Sequence, residues 1–389
     1  MAFAQNEVAI GEWRSYLPYT KGIDVTQNAT TIYYAANFSL LAIDKEDNSI
    51  QRLTKVNGLS DVEISKLKHS PFNDILIAVY ENRNIDFITP DEITNFPFVK
   101  DKNVPGDQSI NEITFVAPER VFLSTGFGLL EMNPETVTVQ NDIRTGIPVK
   151  SFAAFDGSFF AATEEGIYTI EDTPNANLLD FSNNWRLLDE SDGFPLDYSS
   201  NVVYALDDQL VVDVNDSLFF YKDGLQNSFF GNDGFSFEFV SAEGEHMIVG
   251  LECNGCNDRI AFLTKSGTFI RDLGISCVSN VQNAVQDEQG RIWIADRAEQ
   301  FRTMKTVNSS CAFDIFEGPA SGNIWDIEVK GNELWVATGG FSTTREYLFR
   351  RDGILRLKED GFWEQYTICL LYTSPSPRDA TLSRMPSSA

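Results

Sequence analysis

The feature that most constrains the fold is a unit that recurs eight times along the chain. Each copy contains an apolar run, a small residue, a turn and a second apolar run. Successive runs start 43, 46, 38, 51, 37, 45 and 42 residues apart, at Ile32, Ile75, Val121, Phe159, Leu210, Met247, Ile292 and Leu334. A repeat of about 40 to 50 residues with several strands in each copy is typical of β-propeller blades.

The eighth copy shows the strand content of the unit most clearly. Residues 324–329 largely alternate between apolar and polar side chains, which is typical of a half-buried strand. A Lys-Gly-Asn turn leads to the fully apolar run 334–337, and two further short strands, 354–357 and 362–366, each follow an Asp-Gly turn. Four antiparallel strands make one blade. No long run has a 3.6-residue period, so the sequence predicts an all-β fold.

We therefore predict a seven-bladed β-propeller of four-stranded antiparallel blades over residues 11–321. Residues 322–368 form a further blade, which is either the closing blade or the first blade of a second propeller. Trp13-Arg-Ser-Tyr16 resembles Trp363-Glu-Gln-Tyr366. Residues 11–17 are therefore predicted to form an outer strand that completes a later blade and closes the ring, which also hides an edge.

The two ends of the chain differ in character from the repeats. Ala2-Phe3-Ala4 followed by Gln5 fits the small-x-small cleavage rule, so residues 1–4 are expected to be the remnant of a signal peptide and the protein to be exported. Residues 369–389 are rich in Ser and Pro and resemble the translated sequencing-adapter tail found at the ends of many metagenomic gene fragments. We expect this tail to be artefactual and disordered, and we expect the gene to continue beyond residue 368.

Composition argues against several classes of function. The net charge of −27 makes nucleic acid an unsuitable partner, because phosphate binding needs a basic surface. No apolar run is long enough for a transmembrane segment. His69 and His246 stand apart from any nucleophile motif, and no nucleotide fingerprint is present. We therefore expect no catalytic residues, no cofactor and no metal site, hence no enzyme.

Loops between repeats are the expected contact surface. Residues 57–61, 145–148 and 192–195 each connect an outer strand to the next inner strand, and such connections share one face of a propeller. The inserts at 172–184 and 342–351 are the longest departures from the repeat. Long inserted loops are often functional.

Four cysteines precede the suspect tail. Cys253-Asn-Gly-Cys256 lacks the second pair of a zinc site and the strand-to-helix setting of a thioredoxin-like site. In an exported protein a disulfide between Cys253 and Cys256 is expected. Cys277 and Cys311 are expected to pair across neighbouring blades.

Two groups of residues resemble known families. Gln286-Asp-Glu-Gln-Gly-Arg-Ile-Trp-Ile-Ala295 and Gly331-Asn-Glu-Leu-Trp-Val-Ala-Thr338 are similar to the repeats of two-component regulator propellers. Gly11-Glu-Trp-Arg-Ser-Tyr-Leu-Pro-Tyr19 and Leu53-Thr-Lys-Val-Asn-Gly-Leu-Ser60 resemble the start of the PorZ family of type IX secretion proteins of Bacteroidetes. This second resemblance extends over residues 5–368.

The PorZ resemblance implies a non-enzymatic protein of two seven-bladed propellers and a small C-terminal β-domain. It implies a location at the cell surface, associated with the outer membrane. The implied partners are a sortase, other outer-membrane secretion-complex proteins and anionic lipopolysaccharide or a related glycan. A periplasmic oligosaccharide-sensing propeller of a hybrid two-component histidine kinase is the alternative, and a polysaccharide-degrading propeller enzyme is a third hypothesis.

Overall fold

The computed structural model describes residues 15–102, 106–231, 234–313, 317–348 and 350–367. The predictions for residues 1–4, 11–14 and 369–389 lie outside these ranges. Within them the chain forms 32 strands, arranged as eight four-stranded antiparallel sheets. The all-β prediction is confirmed.

Every sheet takes its four strands from one contiguous stretch of sequence. The strands of the first four sheets are β1 Gly22–Gln27, β2 Thr31–Ala36, β3 Ser39–Asp44 and β4 Ile50–Thr54; β5 Ile64–His69, β6 Leu76–Tyr80, β7 Ile85–Ile88 and β8 Ile93–Phe96; β9 Ile110–Ala117, β10 Arg120–Thr125, β11 Gly128–Asn133 and β12 Thr138–Arg144; β13 Val149–Phe155, β14 Ser158–Thr163, β15 Gly166–Glu171 and β16 Arg186–Leu187.

The other four sheets follow the same plan. Their strands are β17 Val203–Ala205, β18 Leu210–Asp213, β19 Ser217–Tyr221 and β20 Leu225–Gly231; β21 Ser236–Ser241, β22 His246–Glu252, β23 Arg259–Thr264 and β24 Phe269–Leu273; β25 Val281–Gln286, β26 Ile292–Asp296, β27 Gln300–Met304 and β28 Ala312–Phe313; β29 Ile324–Lys330, β30 Glu333–Thr338, β31 Ile354–Leu357 and β32 Trp363–Tyr366. The helices described are short: α1 Phe98–Asp101 and α2 Phe181–Asn184, with 3-10 turns at Lys55–Asn57 and Glu190–Asp192.

The eight apolar runs of the sequence are the second strands of the eight sheets. In the first seven sheets these strands are almost wholly buried, because each is paired on both sides and covered on both faces by neighbouring sheets. Aromatic rings fill the wedge between sheets. For example, the rings of Phe122 and Phe152, from neighbouring sheets, stack with centroids 4.4 Å apart.

The first seven sheets, Lys21–Asp314, form one compact unit. Each of their first strands packs beside the first strand of a neighbouring sheet, and β1 also contacts β25 and β26 of the seventh sheet. The ring is therefore closed with seven blades. At the seam, Asn283 Nδ2 donates to Asp24 Oδ1 at 2.7 Å, Gln27 Nε2 donates to the Gln286 carbonyl at 2.8 Å, and Arg291 Nη2 donates to the Lys45 carbonyl at 2.7 Å.

The predicted closing strand is wrong in the part that the structure describes. Residues 15–21 form no strand, and residues 15–20 belong to the second compact unit, together with the described residues between 317 and 367. In that unit the Tyr16 ring meets Trp363 edge-on at 5.7 Å. The ring instead closes by side-chain packing and hydrogen bonds, since each of its sheets already has four strands of its own.

The eighth sheet, β29–β32, lies in this second unit. All seven residues of its first strand are exposed, including Trp325 at 57 % and Ile327 at 53 %. Only Val336 and Leu355 in the middle of the sheet are buried among its hydrophobic residues. This sheet therefore has the hydrogen-bonded form of a blade without the apolar cover that the ring sheets have.

Two of the predicted contact loops also pack the ring. In each, a glycine with positive φ (Gly58 at 138° and Gly193 at 89°) turns the chain inward. The next residue, Leu59 or Phe194, is then buried in the core between two sheets. These loops therefore fill the space between neighbouring blades with apolar side chains.

Candidate functional site in the axis of the ring

The first strand of most ring blades carries a bulge near its start. Near the start of β1, β5, β9, β13, β21 and β25, pairing with the second strand skips one residue. The skipped residues are Ile23, Ser65, Asn111, Lys150, Glu238 and Gln282. A bulge bends the strand and turns side chains in new directions. Several polar side chains thereby reach the axis of the ring.

The seven first strands enclose a cavity of about 690 Å³, which we call the axial cavity. Every blade contributes to its wall through its first strand or the residues just before that strand. This size is within the range of small-molecule sites. The charged side chains that line it are Asp24, Lys66, Lys68, His69, Glu112, Lys150, Glu238 and Glu243.

Residues just after the bulges join neighbouring blades around this cavity. Asp24 Oδ2 accepts from the Leu67 amide at 2.7 Å, and Glu112 Oε2 accepts from the Phe152 amide at 2.9 Å. Ser151 Oγ accepts from the amide of Val203 at 2.7 Å. Each of these bonds ties one inner strand to the backbone of the next blade. The wall of the cavity is therefore held in register by its own polar side chains.

Lys68 and Glu243 form an ion pair across the cavity, with Nζ and Oε1 2.7 Å apart. Burial opposes the charge of both groups, but their mutual attraction outweighs it and raises the pKa of Lys68 and lowers the pKa of Glu243. The two side chains remain 35 % and 28 % exposed to the cavity. Solvent screening therefore makes the pair worth little to stability.

The other two lysines of the cavity are not neutralised at contact distance. Among the described residues, the side chains of Lys66 and Lys150 make neither an ion pair nor a hydrogen bond. The remaining carboxyl groups bind protons more readily than usual: burial raises the pKa of Glu112 to about 7, against the lowering effect of the Phe152 amide and the two nearest lysines. Burial also raises the pKa of Glu238. Burial therefore favours the neutral forms of these two carboxyl groups.

The two histidines lie in different settings. His69 lines the axial cavity with its ring stacked on Tyr33 at 5.5 Å, and burial lowers its pKa. His246 Nδ1 lies 3.2 Å from Gln286 Oε1. Neither ring forms a hydrogen bond with a Ser or Cys side chain in the described structure. Across the described ranges, no group of three or more His, Cys, Asp or Glu side chains is placed to hold a metal ion.

The four cysteines lie at loops of the sixth and seventh blades. Cys253 and Cys256 are joined between β22 and β23, with Cα atoms 5.3 Å apart. Cys277, before β25, is joined to Cys311, before β28, with Cα atoms 5.7 Å apart. Both separations suit a disulfide. Neither pair lines the axial cavity.

The insert at 172–184 folds over its own blade. Leu178, Phe181 and Trp185 pack against Ile170 in the core between the third and fourth blades. The polar side of the insert lines an open groove of about 550 Å³, together with Arg186 and Tyr221. The second insert forms an isolated bridge between Phe341 and Tyr347 in the eighth sheet's unit. No helix in the described part of the chain has the length and apolarity needed to cross a membrane.

The sequence did not predict the axial cavity, although a local signal was present. In five of the six bulged strands the residue after the bulge is polar and is followed by an apolar one, as in Asp24-Val25 and Asn283-Ala284. That pattern is indistinguishable from strand alternation until the register with the second strand is known.

Comparison with known proteins finds one matching family model, over less than half of the chain, and a shared propeller fold. Residues 32–186 match the sequence model described as the N-terminal β-propeller domain of PorZ, of the type IX secretion system. The solved structure of PorZ from Porphyromonas gingivalis, described as an essential bacterial surface component of that system, superposes with a TM-score of 0.72 at 18 % identity. The match covers 92 % of this chain and 46 % of that one, so this chain spans just under half the length of that relative.

Other propellers share the fold at lower similarity. YCF48 bound to a D1 peptide has a TM-score of 0.52 at 13 % identity, covering 76 % of this chain and 96 % of that chain. The WD40 propeller domain of Doa1 has a TM-score of 0.50 at 9 % identity, covering 74 % and 93 %. No curated protein sequence matches the chain significantly.

Proposed function

We propose that this PorZ-like chain is a non-enzymatic component of a type IX secretion system that acts at the cell surface, associated with the outer membrane. The observation that carries the proposal is that sequence and fold lead to the same relative. Residues 32–186 match its N-terminal propeller, and the fold similarity extends over 92 % of the chain. A sensor propeller of a histidine kinase has no comparable support.

We further propose that the ring scaffolds an attachment complex containing a sortase and other outer-membrane secretion proteins. The loops from outer to inner strands all lie on one face of a propeller, and three of them expose large aliphatic side chains. Val56 is 70 %, Leu196 75 % and Ile275 74 % exposed. Exposed apolar groups on a rigid ring offer contact points for a protein partner. Contact with anionic lipopolysaccharide is part of the same proposal.

We propose that β29–β32 is the first blade of a second propeller. Its first strand has a bulge before Asp326, as β1 has before Asp24. Asp326 Oδ1 accepts from the next amide, as Asp24 Oδ1 does. The exposed apolar residues of β29 occupy the positions that neighbouring blades cover in the ring. Since the ring is already complete with seven blades, the closing-blade alternative has less support.

Export and oxidised cysteines complete the proposal. Disulfides persist in proteins outside the cytosol. The proximity of the cysteines in both pairs supports this location.

The partner proposal is tested by capture of the purified type IX sortase on the immobilised chain. A triple variant, Val56→Asp with Leu196→Asp and Ile275→Asp, changes only the face of the outer-to-inner loops. Leu179→Asp, on a loop of the opposite face and 55 % exposed, is the matched control. We expect at least a tenfold loss of capture for the triple variant and none for the control. Failure of the unaltered chain to capture sortase would overturn the scaffold proposal.

The secretion role is tested in the source bacterium by deleting the gene. Cargo proteins should then accumulate with their C-terminal signals intact instead of appearing at the surface. Normal processing in the deletion strain would contradict the role.

A further inference from the structure

The two cysteine pairs of the ring differ in their access to solvent. Cys277 is only 2 % exposed, and Cys311 packs against the core between the sixth and seventh blades. The other pair lies in the connection between β22 and β23, where Cys253 is half-buried and Cys256 is exposed. A thiol from solvent can therefore reach the second pair much more easily than the first.

The fold does not depend on the exposed pair. The hairpin of β22 and β23 stays paired up to Leu251 and Arg259, directly beside the cysteine loop. Leu251 is fully buried in the core between two sheets. The loop is also held by the Cys253 amide, which donates to Asp258 Oδ1 at 2.9 Å. Since a disulfide that closes so short a loop removes little chain entropy, the ring should stay folded when this bond is opened.

The cysteine loop lies on the face of the ring that carries the outer-to-inner loops. The Asp258 amide donates to the Ser279 carbonyl at 3.1 Å. Ser279 belongs to the connection between β24 and β25, which also carries Ile275, 74 % exposed. A protein that approaches this face can therefore reach the exposed sulfur of Cys256.

The surroundings of the pair indicate which part it takes in an exchange reaction. A cysteine that attacks other disulfides usually lies at a helix N-terminus or beside a cation, which stabilises its thiolate. Cys253 instead follows strand β22 directly, and it lies next to Glu252 and against the carboxylate of Asp258. Such a setting does not stabilise a thiolate. The pair is therefore suited to being attacked by an activated thiolate of another molecule.

We propose that the Cys253–Cys256 disulfide is a thiol–disulfide exchange site whose co-substrate is a protein dithiol. A thiolate of the dithiol attacks Cys256 Sγ, which forms a mixed disulfide and releases Cys253 as a thiolate. The second thiolate of the dithiol then attacks the partner sulfur of the mixed disulfide and releases Cys256. Two electrons pass to the cysteine pair, the dithiol becomes a disulfide, and the two protons that it loses are taken up by Cys253 and Cys256. The inference rests on the oxidised state proposed above for the cysteines.

The test uses reduced thioredoxin as the dithiol and the purified full chain at neutral pH. Free thiols are alkylated at successive times, and mass spectrometry of peptides follows each pair separately. We expect the Cys253–Cys256 bond to be reduced at least tenfold faster than the Cys277–Cys311 bond, because exposed disulfides are more labile than buried structural ones. Circular dichroism of the same sample should stay unchanged.

A thioredoxin variant whose second cysteine is replaced by serine should trap the mixed disulfide. We expect it on Cys256 of the unaltered chain and not on Cys253→Ser with Cys256→Ser. Cys277→Ser with Cys311→Ser is the matched control and should be trapped as well as the unaltered chain. If that control does not fold, the rates for the two pairs in the unaltered chain decide the question.

The outcomes separate this inference from the proposal on which it rests. Free thiols at Cys253 and Cys256 in the purified chain would overturn both the oxidised state of that pair and the exchange site. Oxidised pairs that thioredoxin reduces at equal rates, or does not reduce, would overturn the exchange site alone. Reduction accompanied by loss of the circular dichroism signal would also overturn it, since the pair would then react only in the unfolded chain.

Discussion

Two first strands, β1 of the ring and β29 of the eighth sheet, have the same local backbone structure but differ in burial. Both have a bulge before an aspartate, Asp24 or Asp326, and an aliphatic residue after it. That aliphatic residue is fully buried in β1, where Val25 is 0 % exposed, and exposed in β29, where Ile327 is 53 % exposed. Local sequence therefore determines the strand and its bulge, whereas neighbouring blades determine its burial.

The difference extends to the aspartates. Asp24 accepts from its own neighbour Val25, from Leu67 of the second blade and from Asn283 of the seventh. Asp326 keeps only the local bond to the Ile327 amide among the described residues. A post-bulge aspartate is thus a local turn element that becomes a link between blades when a blade lies on each side.

Replacing the two aspartates gives the largest expected contrast. Asp24→Ala should lower the free energy of unfolding by about 4 kcal/mol, because it leaves the amides of Val25 and Leu67 without an acceptor and removes one of the two acceptors of Asn283 Nδ2. Asp326→Ala should lower it by less than about 0.5 kcal/mol, as exposed substitutions do. Urea unfolding followed by circular dichroism measures both. Equal losses of unfolding free energy in the two variants would contradict the difference between the two aspartates.

Reduction of the cysteine pairs is expected to affect the ring alone. Cys277 and Cys311 are 34 residues apart, so losing their link as Cys277→Ser with Cys311→Ser should lower stability by about 3.8 kcal/mol on the chain-entropy account. Cys253 and Cys256 are only 3 residues apart, and the same change there should cost about 1.5 kcal/mol. Thermal unfolding with and without dithiothreitol gives both values. Insensitivity to reductant in the unaltered chain would show that the thiols are free.

Truncating the two equivalent aliphatic residues isolates the effect of apolar cover. Val25→Ala should destabilise the ring by about 2 kcal/mol, through lost burial and the cavity left behind. Ile327→Ala removes more atoms, yet should change stability by less than about 0.5 kcal/mol because its side chain is already solvated. The measurement is again urea unfolding. A larger effect from Ile327 would mean that β29 is covered in solution.

The smallest expected effect concerns Glu112, the post-bulge residue of the third blade. Its pKa of about 7 in the folded state lies above its ordinary value of 4.5, so ionised Glu112 destabilises the fold at high pH. This destabilisation disappears as the pH falls through 7 towards 4.5.

Glu112→Gln should therefore raise the free energy of unfolding at pH 8 by about 1 kcal/mol. The expected gain is no larger because solvent in the cavity screens part of the unfavourable charge of Glu112. At pH 5 the variant and the unaltered chain should be equally stable. Glu328→Gln in exposed β29 is the matched control and should change little at either pH. If the difference in unfolding free energy between the variant and the unaltered chain increased as the pH fell, the proposed effect of ionised Glu112 would be contradicted.

Much of the fold was predictable from the sequence because the second strand of each blade is buried on both faces. Such strands are continuous apolar runs, and their spacing gives the repeat directly. The seven-blade ring is confirmed on this basis. Closure was mispredicted because Trp13 to Tyr16 resembles an outer strand in composition, whereas each ring sheet already takes all four strands from its own stretch of sequence.

The axial cavity was not predictable for a related reason. A bulge changes which side chains face the axis, and it depends on register rather than composition. Lys66 and Lys150 look like ordinary solvent-facing residues in their strands, and only pairing with β6 and β14 shows that one follows a bulge and the other is the extra residue. The sequence analysis did not single out Asp287 either. In the structure it accepts from the amides of Gln289 and Arg291 and from Trp293 Nε1.

Because no strand crosses the seam of the ring, the first blade can pack against the seventh only after the seventh has formed. Asn283 and Asp24 are 259 residues apart, and their bond forms only when the whole circle has been made. Contacts so distant along the chain are slow to form. If such a protein leaves the ribosome and crosses a membrane from its N-terminus, its ring stays incomplete until the seventh blade emerges. Until then the first blade exposes an apolar face. Factors that cover such faces would therefore control the yield of folded protein.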